Sequence, residues 1–94
     1  MKYRLVFDDA LEQDLRDLPR SVRERLVVGL AALADDPRPA AAKPMVGELR
    51  GYWSLRVGAY RASYTVDDQN RTVHVWNAGH RSRFYERVRR RRRP

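Results

Sequence analysis

Cysteine is absent from this sequence. That excludes a disulfide framework and any thiolate metal site. Only two histidines occur, His74 and His80, and with the scattered carboxylates they compose no metal centre. No cofactor and no metal are expected. No apolar run approaches the roughly 20 residues needed to span a membrane. The opening MKYRLVFDD lacks the apolar stretch and cleavage site of a signal peptide, so a cytoplasmic protein without membrane contact is expected. Lysine is nearly missing too, since eighteen of the twenty basic side chains are arginine.

What is present is a strongly one-sided charge. Residues 1–37 carry six basic and eight acidic side chains, whereas residues 38–94 carry fourteen basic and four acidic ones. The net charge of +8 therefore belongs to the second half, the usual electrostatic footprint of a nucleic acid or other polyanion. At 94 residues and 43% hydrophobic content, the chain has the material for one domain with one core. It is expected to span residues 1–88, with 89–94 as a basic tail.

Periodicity places the elements. KYRLVF (2–7) alternates as a strand with Tyr3, Leu5 and Phe7 on one face. Asp8 or Asp9 can cap the following helix, with Glu12 three residues after Asp9 in capping-box position. Phe7, Leu11, Leu15 and Leu18 then recur at helical spacing, and Pro19 closes that helix and can open another. Val22, Leu26, Leu30 and Leu33 form the apolar stripe of the second helix, and Asp35-Asp36-Pro37 stops it. Residues 37–51, rich in proline and glycine, read as a loop. Three strands follow, YWSLRV (52–57), YRASYTV (60–66) and TVHVWNAG (72–79). The expected fold is α+β. It has an N-terminal strand, a helical hairpin and a three-strand antiparallel meander in one sheet, with the helices on one face and a short C-terminal helix or tail.

Alternation sorts the meander into two faces. Trp53, Leu55, Val57, Tyr60, Ala62, Tyr64, Val66, Val73 and Val75 suit the side under the helices. Ser54, Arg56, Arg61, Ser63, Thr65, His74 and Trp76 turn the other way. Gly58-Ala59 is a two-residue connection with glycine first, as a type II′ turn requires, and it sets Arg56 directly opposite Arg61. Like charges in that relation repel unless they splay into water or share an anion. Arginine suits the second role because its planar fork holds phosphate oxygens in pairs. The third strand ends in Gly79-His80-Arg81, which can bring Arg81 to the same anion. Histidine is the side chain suited to carry a proton near neutrality, which makes His80 the preferred proton carrier, although it can equally serve as a strand terminator. Trp76 offers a stacking platform if it does not simply pack.

The stretch LRGYWSLRVGAYRASYTVDDQNRTVHVWNAGHRSRFY resembles the RelE-type toxins of bacterial toxin–antitoxin modules. The shared pattern is a G-x-x-x-L-R-x-G-x-Y-R-x-x-Y hairpin, Gly51 to Tyr64, then Gly-His-Arg (79–81) and a late tyrosine, Tyr85. LPRSVRERL and LADDPRP upstream also fit. The resemblance implies a ribosome-dependent endoribonuclease that cuts messenger RNA by attack of a ribose 2′-hydroxyl on the adjacent phosphate. It implies catalytic roles for Arg61, His80, Arg81 and Tyr85, with Arg50, Ser54, Arg56 and Arg83 binding substrate. An ordinary tyrosine has a pKa of about 10, so Tyr85 serves as a base only where arginines favour its phenolate. Family members carry lysines on the hairpin strand where this chain has Tyr52 and Ser54. The partners implied are a cognate antitoxin, the ribosome with its message, and operator DNA only through the toxin–antitoxin complex. Two other readings remain open: a ParE-like toxin that inhibits gyrase, and a non-toxic RNA- or partner-binding module.

Overall fold

The structure, a computed structural model, describes residues 2–91. The chain runs β1 (Arg4–Phe7), α1 (Asp9–Arg16), α2 (Arg20–Ala32), β2 (Ala42–Pro44), a short 3-10 turn (Gly47–Leu49), β3 (Trp53–Val57), β4 (Tyr60–Asp67), β5 (Thr72–His80) and α3 (Arg81–Arg91). The strands form one sheet in the order β1-β5-β4-β3-β2. β1 joins β5 in parallel, and every other pairing is antiparallel. The fold is α+β, as the alternation of the sequence implies.

One sheet face carries the main core. Leu11 of α1, Leu26 and Leu30 of α2, and Leu33 just beyond it pack on Leu55, Ala62, Tyr64, Val73 and Val75. Asp8 caps α1 by accepting a hydrogen bond from the Ala10 amide (3.1 Å). With the cap at Asp8, Glu12 falls one residue past the capping-box position and that box does not form. Phe7, which alternation puts on one face with Tyr3 and Leu5, stands at the end of β1 and is 40% exposed. Tyr64 lies at the bottom of this core with its hydroxyl donated to the Pro37 carbonyl (2.7 Å), and burial pushes that phenol up to about 12.

Two features depart from the expected layout. A fifth strand, β2, emerges from the presumed loop and pairs with β3, Lys43 opposite Ser54. Pro44 is tolerated there because β2 is an edge. The second is α3, which lies across the other sheet face. Phe84 and Val88 fill a separate small cluster with Met45, Leu49 and Tyr52. This helix runs through Arg91, so the boundary expected at residue 88 falls inside an element; Arg92 to Pro94 of the expected tail lie outside the described residues.

Long side chains fasten α3 to α1 around the edge of β5. Beyond Val75 this edge has no strand partner among the described residues, since β1 ends at Phe7. The carboxylate of Asp14, only 2% exposed, accepts from the Ala78 amide (3.0 Å). It also accepts from Arg87 (3.2 Å) and twice from Arg91 (2.6 and 3.0 Å). Arg87 in turn donates to the Ala78 carbonyl (3.2 Å).

Candidate functional site

The β3–β4 hairpin has the register that its two-residue turn dictates. Gly58 takes φ of 62°, while Ala59 stays outside the positive region, the combination of a type II′ turn. Arg56 accordingly faces Arg61 across the strands, and Ser54 faces Ser63. Arg56 bends its Nε toward the Gly58 carbonyl (3.4 Å), away from its like-charged neighbour. Arg61 stays half-buried against the sheet.

Between the hairpin, β2 and α3 lies a cleft of about 630 Å³. Ser54, Arg56 and Arg61 line it from the sheet, Lys43 and Met45 from β2 and the residue after it, and Tyr85 and Arg89 from α3. Two buried polar atoms on this wall, Arg61 Nε and Ser54 Oγ, find no hydrogen-bond partner among the described residues. Leaving a buried donor unsatisfied costs about 1–3 kcal/mol, more when it is charged, so an anion that accepts from Arg61 recovers free energy that the protein alone forfeits. Arg89 pairs with Glu48 (2.7 Å). No ion pair among the described residues engages Lys43, Arg56 or Arg61. The cleft thus gathers three cations free of ion pairs beside a phenol.

The structure brings together four of the eight residues singled out in the sequence: Ser54, Arg56, Arg61 and Tyr85. Arg81 opens α3, its amide donating to the Ala59 carbonyl (2.8 Å). Its i, i+4 relation to Tyr85 puts the two on one flank of α3, but Arg81 does not itself line the cleft. His80 does not join them. It pairs across the strands with Tyr60, whereas Arg61 pairs with Gly79, and directly opposed residues share a sheet face. His80 therefore turns toward the α1/α2 side, edge-on to the Tyr60 ring (5.4 Å). Its Nδ1 accepts from the Ser82 amide (3.2 Å) at the start of α3. Arg83 lies with Glu86, Arg87 and Arg90 around a separate hollow and not in the cleft. Arg50, exposed after the 3-10 turn, does not line the cleft.

Lys43 and Arg89 were not singled out. Lys43 stood in a segment read as loop, and only the pairing of β2 with β3 sets it opposite Ser54. Arg89 stood in the presumed tail. A signal was available for it: Phe84 and Val88 at i, i+4 mark an apolar stripe, which places Tyr85 and Arg89 together on the adjoining flank. No group of three or more potential metal-ligating side chains occurs among the described residues, and no helix there is long and apolar enough to cross a membrane.

Comparison with known proteins agrees with this architecture. Residues 5–85 match the family described as ParE toxin of type II toxin–antitoxin system, parDE. Toxin RelG of Mycobacterium tuberculosis is 33% identical over 88 residues, spanning 93% of this chain and all of that protein. Among solved structures, the toxin–antitoxin complex RelBE2 from Mycobacterium tuberculosis superposes with a TM-score of 0.77 at 31% identity, covering 85% of this chain and 99% of its counterpart. A mutant of the E. coli toxin RelE in the free state gives 0.73 at 27% identity, covering 98% and 100%. The fold, the hairpin and the extent of these matches agree: the chain is a toxin of the RelE/ParE superfamily, from a type II toxin–antitoxin system.

Proposed function

We propose that this toxin is a metal-independent endoribonuclease that cuts messenger RNA on the ribosome, with the scissile phosphate held in the cleft at Arg61. The observation that carries the reading is the buried, unpartnered Nε of Arg61 beside Lys43 and Arg56. A group held in that state favours a strongly accepting anion over water. In the reaction, the ribose 2′-oxygen attacks the adjacent phosphorus and loses its proton to a base. The P–O5′ bond breaks, the 5′-oxygen takes up a proton, and a 2′,3′-cyclic phosphate remains. Negative charge builds on the non-bridging oxygens, where fixed guanidinium and ammonium groups act most strongly.

Tyr85 is the proton-transferring group that the cleft offers, with Arg81 one helical turn before it on α3. His80, on the far side of the sheet, serves here as the stop between β5 and α3. Lys43 supplies from β2 the charge that the hairpin of this chain lacks at Ser54. The partners that go with this reading are the ribosome with its message and a cognate antitoxin. Several similar solved structures are toxin–antitoxin complexes, among them the archaeal RelE–RelB complex from Pyrococcus horikoshii OT3. Operator DNA would be met only through such a complex.

The test is primer-extension mapping of message ends after induced expression, with wild type and Arg61→Ala side by side. Cleavage inside translated messages, lost in the variant, is the expected result. The ParE description of the matching family favours a second reading, inhibition of gyrase. Double-strand breaks and a damage response without message cleavage would decide for it.

A further inference from the structure

The same sheet face carries a second cleft, on the other side of α3 and toward the β4–β5 turn, of about 760 Å³. Its floor is a pair of rings. His74 and Trp76 stack nearly parallel, 9° between planes and 3.6 Å between centroids. Residues two apart on a regular strand stand roughly 7 Å from one another, so this closeness needs a cause. The β4–β5 register supplies it: Tyr64 pairs with Val75 and Ser63 with Asn77, which leaves Trp76 as the extra residue of a bulge, and a bulge re-aims its side chain. The indole is then held in place by donating to Thr65 Oγ1 (3.0 Å), while His74 Nε2 stands 3.7 Å from an Asp8 carboxylate oxygen.

Around these rings are Lys2, Arg4 and Arg71; no ion pair among the described residues engages any of the three, although the Arg71 guanidinium lies 5.9 Å from the centre of the Tyr3 ring. The single acidic residue of the lining, Asp67, is already occupied by the amide and side chain of Asn70 (3.0 and 2.8 Å). Arg71 adopts φ of 50°, a left-handed conformation uncommon for a residue other than glycine. A ring platform bordered by cations free of ion pairs is the combination that holds single-stranded nucleic acid, base on the rings and phosphate on the charges. An acidic peptide needs the cations but has no use for the platform.

We propose that this second cleft binds one nucleotide of single-stranded RNA, its base stacked on the His74–Trp76 pair and its phosphate held by Arg4 and Arg71. The inference rests on the RNA reading of the first cleft for the identity of the polymer. It places a contact across α3 from the cutting site, so that a message is gripped on both sides of that helix.

The experiment is fluorescence-anisotropy binding of a labelled penta-adenylate RNA to the full chain carrying Arg61→Ala, which disables the first cleft. In that background Trp76→Leu should weaken binding about tenfold, the usual worth of one stacked base. Trp76→Phe, which keeps a ring, should restore most of the affinity. Arg4→Ala and Arg71→Gly should each weaken binding and reduce its salt dependence by about one counterion. Duplex RNA of the same length, whose bases are already stacked, should bind without regard to residue 76. Equal affinity of the leucine and phenylalanine variants with the parent overturns the proposal, as does full competition by penta-glutamate with no change in tryptophan emission, which would mark an acidic-peptide surface. Because cleavage is not read, failure of the nuclease reading leaves this measurement decisive in its own right.

Discussion

The two faces of the sheet are built on opposite terms. Under α1 and α2, the contact is apolar side chain on apolar side chain, and the buried Tyr64 hydroxyl has its acceptor. Under α3, the apolar contact shrinks to four buried residues and Tyr52, while Ser54, Ser63 and Asn77 are buried with them. Ser63 hydrogen-bonds Asn77, yet Ser54 Oγ, Arg61 Nε and Asn77 Nδ2 have no partner among the described residues. The first face is optimised for stability. The second gives up stability to keep polar groups dry and available, as ligand sites do.

Substitutions on the two faces should therefore diverge. Leu30→Ala, at a fully buried position, should cost about 2–5 kcal/mol in urea unfolding. Ser54→Ala on the other face should be nearly neutral, since it removes a buried hydroxyl that makes no hydrogen bond. A large loss for the serine variant would break the comparison. Arg61→Ala should reverse the pattern, slowing message cleavage about 100- to 1000-fold, the usual effect of removing one donor to a developing oxyanion, with the melting temperature little changed. Full cleavage by that variant would remove Arg61 from the chemistry.

The fastening between the faces comes next in size. Asp14→Ala strips the partner from Arg87, Arg91 and the Ala78 amide, and should cost about 1–3 kcal/mol. Hydrogen exchange should show the loss concentrated in residues 81–91. Lys43→Ala should lower cleavage about tenfold and leave stability unchanged, as expected for an exposed cation acting through space. The smallest effect belongs to Asp68. Its carboxyl is held at about 2, below the ordinary 3.8, by hydrogen bonds from Arg38 and then Tyr3. A depressed carboxylate contributes its stability above the ordinary value and loses it as the pH falls through about 2. The stability deficit of Asp68→Asn near neutrality should accordingly close between about pH 4 and pH 2 in acid unfolding monitored by circular dichroism.

Legibility followed the same division. The helix-covered face could be read almost residue by residue, because period-2 and helical apolar spacing repeat long enough there to average out exceptions. The Arg56–Arg61 juxtaposition could be read because a two-residue turn leaves no freedom of register. β2 could not, since three residues ending in proline carry no period at all. A short C-terminal helix or tail could be expected, but the length of α3 and its packing on the other sheet face were masked by arginine, and only Phe84 and Val88 betray a packed side. Asp14 sits in a helix whose charged residues otherwise point to water, so nothing local marks it as buried. His80 was placed one sheet face away from where its neighbour Arg81 suggested, because adjacent residues at a strand end point in opposite directions.

The Asp14 fastening has a consequence for behaviour in a crowded cell. Where β1 stops, β5 would present an open hydrogen-bonding rim, the kind of template on which a second polypeptide can add and from which aggregates grow. Both backbone groups of Ala78 are instead consumed by a carboxylate and a guanidinium. Two side chains thereby do the work of a missing strand and deny an incoming chain its foothold.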